Sequence, residues 1–77
     1  MRVEILGTGC AKCNKLYQAA KEAVAAAGLD AEVVKVEDVT EIMKRGVMVT
    51  PALVVDGEVK LVGKVPKRAE IARMLGA

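Results

Sequence analysis

Cys10 and Cys13 are the only two cysteines of the chain, and Ala11 and Lys12 separate them. They fall where an apolar segment, residues 3–6, gives way to a segment with helical periodicity. On one turn of a helix such side chains lie on the same face, with Cβ atoms about 5 to 6 Å apart. Disulfides tolerate Cα separations of about 4.4 to 6.8 Å, so this pair could form and break a bond with little backbone movement.

Reversible redox chemistry is the function that this cysteine pair favours. A structural crosslink between them would close a very short loop, which stabilises a fold by about 2 kcal/mol, against about 4.7 kcal/mol for a 100-residue loop. A structural zinc site usually needs four Cys or His ligands, and the chain contains no histidine. The plainest alternative is two small residues that merely pack in the core.

Composition excludes several other classes of function. The chain has 77 residues, a net charge of +2 and a single aromatic residue, Tyr17. It predicts one domain, residues 1–77, with neither the basic stripe nor the aromatic platform of a nucleic-acid-binding protein. Without a long apolar run or signal-peptide features, we expect a cytoplasmic protein that does not enter a membrane. We expect no bound cofactor.

The first half of the chain predicts a βαβ unit. Residues 3–6 form a short strand, the Gly7-Thr8-Gly9 loop follows, and residues 10–27 form an amphipathic helix that Gly28 ends. The predicted inner face of this helix carries Cys13, Leu16, Tyr17, Ala20, Val24 and Ala27. Residues 31–36 form a second strand, which should lie parallel to the first because a helix connects them.

The second half predicts a short helix, a hairpin and a final helix. Asp38 resembles a helix start, Val39, Ile42 and Met43 should face inward, and Gly46 should end the helix. Residues 52–55 and 59–62 flank Asp56-Gly57, a strong signal for an antiparallel hairpin. Pro66 is expected at the first position of the last helix. The predicted order is βαβαββα, and we expect the methionines Met43, Met48 and Met74 to fill the core.

This order, with a CxxC pair opening the first helix and Thr50-Pro51 before the third strand, resembles the thioredoxin fold in its minimal form. Gly7-Thr8-Gly9-Cys10-Ala11-Lys12-Cys13 and Val49-Thr50-Pro51-Ala52 are similar to the small thioredoxin-like proteins called redox-active disulfide protein 2. The resemblance implies an α/β fold with a four-stranded mixed sheet flanked by three helices. It also implies thiol-disulfide exchange with protein disulfides and a separate thioredoxin-reductase-like reductant.

The resemblance further implies that a cis peptide bond precedes Pro51 and that the backbone of Thr50 binds an extended substrate segment. At the start of a helix, unsatisfied N–H groups favour a thiolate, so Cys10 is the expected nucleophile. Cys13, one turn further on, is the expected resolving thiol. Lys12 should be exposed and could tune Cys10 through its charge.

Glu4 lies six positions before Cys10, where thioredoxin has a buried acid that assists proton transfer. A proton relay is therefore one interpretation of Glu4; an exposed carboxylate beside Arg2 or Lys35 is the plainer one. Met48, two positions before Thr50, could also line an apolar rim around the disulfide.

Two other functions remain open at this stage. Two thiolates in a CxxC pair could carry Cu(I) or Zn(II). Copper chaperone domains also place CxxC between a first strand and helix, but they run βαββαβ and end in a strand. The chain could instead be a regulatory module that binds a partner in only one redox state.

Overall fold

The computed structural model describes residues 1–9 and 11–76. Its elements follow the βαβαββα order that the sequence predicts. Along the described chain they are β1 (Arg2–Leu6), α1 (Ala11–Ala27), β2 (Glu32–Val36), α2 (Val39–Lys44), β3 (Ala52–Val55), β4 (Glu58–Val62) and α3 (Arg68–Met74).

The described strands form one mixed sheet in the order β2-β1-β3-β4. Strand β1 is parallel to β2 and antiparallel to β3, so hydrogen bonds hold it along both edges. The β3–β4 hairpin is antiparallel, as predicted. Its turn residues Asp56 and Gly57 have φ values of 49° and 85°, the left-handed conformation that two-residue hairpins need.

Side chains alternate between the two faces of the sheet and form two separate clusters. Val3 and Ile5 of β1 pack with α1 and α3 in a cluster completed by Leu16, Ala20, Ala23, Leu53, Val55, Ile71 and Leu75. On the other face, Leu6 packs with α2 and the segment after it in a smaller cluster completed by Ile42, Val47, Ala52 and Val54. Two helices thus cover one face, and a single short helix covers the other.

Helix α1 has a narrower buried stripe than its sequence predicts. Its buried residues are Cys13, Leu16, Ala20 and Ala23. Tyr17 and Val24 are half-buried, and Ala27 is exposed and lines an open groove beside the first turn of α3. Among residues 1–9 and 11–76, no helix is both long and apolar enough to cross a membrane.

Helix α2 buries less than predicted. Asp38 caps it by accepting a hydrogen bond from the Thr40 backbone N–H at 2.8 Å, which confirms the predicted start. The prediction that Val39 and Met43 face inward is wrong, because they are 56% and 68% exposed while Ile42 is buried. A six-residue helix turns little more than one side chain toward the sheet, and Val39 and Met43 share a neighbouring face.

Two further predictions about local structure are wrong. Met48 does not fill the core, because it is 97% exposed in the loop between α2 and β3. Met74 does pack against the larger cluster. Pro66 is not the first residue of α3, since the chain stays extended through the N-cap residue Lys67 and the helix begins at Arg68. Pro66 therefore stands just before the cap rather than inside the first turn.

Candidate active site

Of the two predicted redox residues, the structure describes Cys13, whereas Cys10 lies outside the described residues. Cys13 sits in the first turn of α1 and is 4% exposed. It opens the buried stripe that Leu16 and Ala20 continue, so helical periodicity turns its side chain toward the sheet. Lys12, one residue earlier, is exposed as predicted.

Gly7, the residue after β1, lies close to Cys13. A Cβ atom built on Gly7 would overlap the Cys13 sulfur and would lie 3.0 Å from the Cys13 Cβ. The same position is 3.8 Å from the Thr50 Cβ. The Gly7 N–H donates to the Val36 carbonyl at 3.0 Å, which anchors this point to the end of β2. Three distant segments therefore meet around a residue that has no side chain.

The Thr50–Pro51 peptide bond is cis. Pro51 is buried, and Thr50 is half-buried beside Gly7. The Pro51 carbonyl accepts a hydrogen bond of 2.7 Å from the Gly63 N–H at the end of β4. The hairpin thus holds the proline in place, and the proline segment lies against the same glycine as Cys13.

Glu4 is buried, which contradicts the plainer expectation of an exposed carboxylate. It is 4% exposed and occupies the central strand β1. Side chains alternate along a strand, so Glu4 lies on the same face as Leu6 and α2. There the smaller cluster shields the carboxylate from water. A carboxylate at such a position needs charged partners, because burying an unpaired charge is costly.

Two arginines supply those partners. Arg45, which caps the C-terminus of α2, brings Nη1 to 2.6 Å from Glu4 Oε2, and Arg2 brings Nε to 3.6 Å from Oε1. The Arg2 pairing was predicted; the shorter one, with Arg45, was not, and Lys35 instead donates to Asn14. The Arg45 contact is an ion pair without hydrogen-bond geometry, since Oε2 has no hydrogen-bond partner in the described chain.

Charged groups flank the loop that precedes α1. The first turn of α1 carries no acidic residue, and Lys12 lies within it. On the opposite side, Glu37 brings Oε2 to 3.4 Å from the position that a Cβ of Gly9 would occupy. Gly9 itself has φ of +85°, a conformation that favours glycine. The N-terminus of α1 and Lys12 therefore create a positive potential at the loop before α1. The negative charge of Glu37, just after β2, partly offsets this potential.

An apolar groove of about 510 Å³ opens next to this site, between α2 and the loop that leads to Pro51. We call it the α2 groove. Its lining residues are uncharged: Thr8, Val39, Ile42, Met43, Gly46, Val47, Met48 and Thr50. Thr8 belongs to the loop after β1 and Thr50 lies beside Gly7, so the groove borders the candidate site.

The described residues offer no metal-binding cluster of three or more His, Cys, Asp or Glu side chains. The arrangement instead brings together a buried cysteine, a cis-proline segment and an apolar groove.

Comparison with known proteins gives a consistent result. A family model described as a thioredoxin domain matches residues 1–76. The chain is 43% identical over 75 residues to a protein named thioredoxin from Methanothermobacter thermautotrophicus, covering 97% of each chain. It is 47% identical over 73 residues to another protein named thioredoxin from Methanocaldococcus jannaschii, covering 95% of this chain and 84% of that one.

The chain belongs to the thioredoxin domain family. Its α/β fold is the minimal thioredoxin-like form, with the mixed sheet and helices described above. Family membership supports a thiol-disulfide oxidoreductase type of role in general.

Sequence reasoning missed the roles of two residues of this thioredoxin-like site, Gly7 and Arg45. Gly7 was read only as part of a flexible loop, and its close approach to Cys13 has no signal in the sequence. Arg45 follows α2 as its C-cap residue, and its position in the sequence does not reveal that it pairs with Glu4. One signal was available: a carboxylate inside an apolar strand requires a cation from elsewhere in the chain.

We predict that Gly7→Ala strains the site. The added methyl group would overlap the Cys13 sulfur, and overpacking of this kind costs about 1–3 kcal/mol of unfolding free energy. Urea denaturation under reducing conditions measures the loss. The same change in a Cys13→Ala background should cost less, because the sulfur is gone. If Gly7→Ala lowered the unfolding free energy equally in both backgrounds, the Cys13 sulfur would not be what restricts residue 7 to glycine.

We also predict that Arg45→Met destabilises the fold by about 3 kcal/mol, because it leaves the buried Glu4 carboxylate without its nearest cation. Lys44→Met is the matched control: Lys44 pairs with Glu41 on the surface, so its loss should cost under about 1 kcal/mol. Replacing both members of the buried pair, Glu4→Leu with Arg45→Met, should recover much of the stability. Similar urea midpoints for Arg45→Met and Lys44→Met would refute the role of this pair.

Proposed function

We propose that this protein exchanges two electrons with disulfides of other proteins through Cys10 and Cys13. In the reducing direction, the Cys10 thiolate attacks a substrate sulfur, forming a mixed disulfide and releasing the other substrate sulfur as a thiolate. The Cys13 thiol loses its proton and attacks the Cys10 sulfur. The substrate is released as a dithiol, and Cys10 and Cys13 are left joined by a disulfide.

The observation that carries the proposal is that Cys13 and the Thr50–Pro51 segment lie together around Gly7. Cys13 is 4% exposed, so the sulfur of an incoming protein has little access to it. This burial supports a resolving role for Cys13 and leaves the attacking role to Cys10.

The start of α1 supports Cys10 as the nucleophile. Free N–H groups and the dipole of this 17-residue helix favour a thiolate just before Ala11, and no acidic residue in the first turn opposes it. Within the proposal, Lys12 adds a solvent-screened positive charge that tunes the reactivity of Cys10.

Thr50 and Pro51 form the proposed substrate-binding segment. Pro51 has no N–H, and the loop before it is open to solvent through Met48 and Val49, which are 97% and 57% exposed. An extended substrate strand could therefore pair with the Thr50 backbone beside the cysteine loop.

The proposed setting follows from this chemistry. A dithiol that reduces protein disulfides must itself be reduced, so we propose a separate thioredoxin-reductase-like partner and a cytoplasmic location, where thiols are kept reduced. The chain's own residues carry the electrons, and the proposal requires no bound cofactor, nucleic acid or membrane.

Trapping the mixed disulfide tests the order of attack. Cys13→Ser protein mixed with a disulfide-containing protein should accumulate a covalent adduct through Cys10, because the resolving thiol is missing. The adduct is detected on a non-reducing gel and its site identified by mass spectrometry. Cys10→Ser is the matched control and should trap little. Adduct formation only in Cys10→Ser would reverse the assignment.

We further propose that Glu4, which is buried in the middle of β1, accepts the proton of Cys13 during resolution. The proton would pass through water rather than directly, because Glu4 lies on the α2 face of the sheet and α1 packs on the other face. Glu4→Gln should then slow release of the substrate from Cys10 on the order of a hundredfold, because general bases contribute about 10²–10⁴. Glu32→Gln, an exposed carboxylate on the neighbouring strand, is the control. Equal release rates across pH in both variants would leave Glu4 a purely structural role.

A further inference from the structure

The α2 groove has two methionines in its wall, and both are open to solvent. Met43 is 68% exposed and Met48 is 97% exposed. Hydrophobic burial would normally draw such side chains into the core. Here α2 buries only Ile42, so Met43 remains beside the groove, and the loop after α2 leaves Met48 on its other side.

The groove's chemistry defines what could occupy it. Its volume of about 510 Å³ lies in the range of ligand-binding clefts, about 300–1,000 Å³. The residues that line it carry no charge, and the cations at the C-terminal end of α2 are already paired, Lys44 with Glu41 and Arg45 with Glu4. A charged side chain would lose its water there without gaining a counter-charge. The matching occupant is an uncharged, apolar side chain.

The location of the α2 groove next to Thr50 indicates which molecule supplies that side chain. Thr50 lines the groove and also lies beside Gly7, since a Cβ on Gly7 would be 3.8 Å from the Thr50 Cβ and would overlap the Cys13 sulfur. An extended substrate segment bound at Thr50 would therefore place a neighbouring side chain in the groove. Methionine walls are flexible and polarizable, so they adapt to apolar side chains of different shapes.

We propose that Met43 and Met48 are a modification site: their oxidation to sulfoxides blocks docking of protein substrates in the α2 groove. This inference rests on the proposed function. The oxidant is a hydroperoxide, which transfers one oxygen to each thioether sulfur. An S=O bond forms, the O–O bond breaks, the sulfur loses two electrons, and hydrogen peroxide becomes water.

The change converts an apolar wall into a polar one. A sulfoxide oxygen accepts hydrogen bonds from water, and an apolar side chain docked against it would remove that water without replacing it. Thiol-disulfide exchange with a small disulfide needs no groove and should continue. Oxidation would thus separate the chemistry of the cysteines from the recognition of protein substrates, and methionine sulfoxide reductases could reverse it.

The experiment begins with protein whose cysteines are held as a disulfide, which protects them from the peroxide. Hydrogen peroxide is added and removed with catalase, dithiothreitol then restores the thiols, and peptide mass spectrometry locates the added oxygens. Met43 and Met48 should oxidise faster than the half-buried Met74. Slower or equal oxidation of the two groove methionines would overturn the proposal.

Two substrates then report on the groove. The oxidised protein should reduce insulin about tenfold more slowly than its untreated sample, the effect of burying one poorly satisfied polar group. Its reduction of the small disulfide 5,5′-dithiobis(2-nitrobenzoate) should change less than about twofold by the same reasoning. Unchanged insulin reduction after oxidation of both methionines would overturn the proposal. Failure of untreated protein to reduce either substrate would instead refute the proposed function.

The variant Met43→Leu with Met48→Leu is the matched control, because leucine keeps the wall apolar but cannot be oxidised. It is compared only with its own untreated sample, and peroxide still oxidises its exposed Met1. Its insulin rate should not respond to peroxide. A loss as large as that of the wild-type protein would place the sensitive methionine outside the groove and contradict the proposal.

Discussion

The constraint on which this structure depends is the absence of a side chain at Gly7. There the buried sulfur of Cys13 and the Thr50 side chain both lie next to the position that a Cβ of Gly7 would occupy. The sheet makes this meeting possible, because β1 pairs with β2 on one edge and with β3 on the other. Segments from the start, first helix and middle of the chain therefore converge at one end of the central strand.

The two faces of the sheet are packed to different extents. On one face, α1 and α3 pack against each other and against a large aliphatic cluster, which supplies most of the core. On the other, α2 contributes Ile42 and is held to β1 by the Arg45–Glu4 ion pair. A helix fixed by so few contacts leaves apolar residues at its sides uncovered, and the groove beside the candidate site results.

Local chemistry allowed much of the fold to be predicted from sequence. The Asp56-Gly57 turn, the Asp38 cap and the strand of residues 3–6 depend on neighbours in the chain, and all three were predicted correctly. Tertiary contacts decided the rest. Periodicity alone could not show that α2 would leave Met43 exposed, because a short helix has too few turns to define a buried stripe. The Glu4–Arg45 pair joins residues far apart in sequence, and nothing near either one identifies its partner.

The central claim is that the two cysteines differ in access: Cys13 is the buried, resolving sulfur, and Cys10 is the one that meets the substrate. Competitive alkylation of the fully reduced protein with limiting iodoacetamide, read out by peptide mass spectrometry, tests this directly. The account predicts that Cys10 reacts at least about tenfold faster than Cys13, because thiolate character and exposure control the rate. Equal labelling of the two residues, or faster labelling of Cys13, would contradict it.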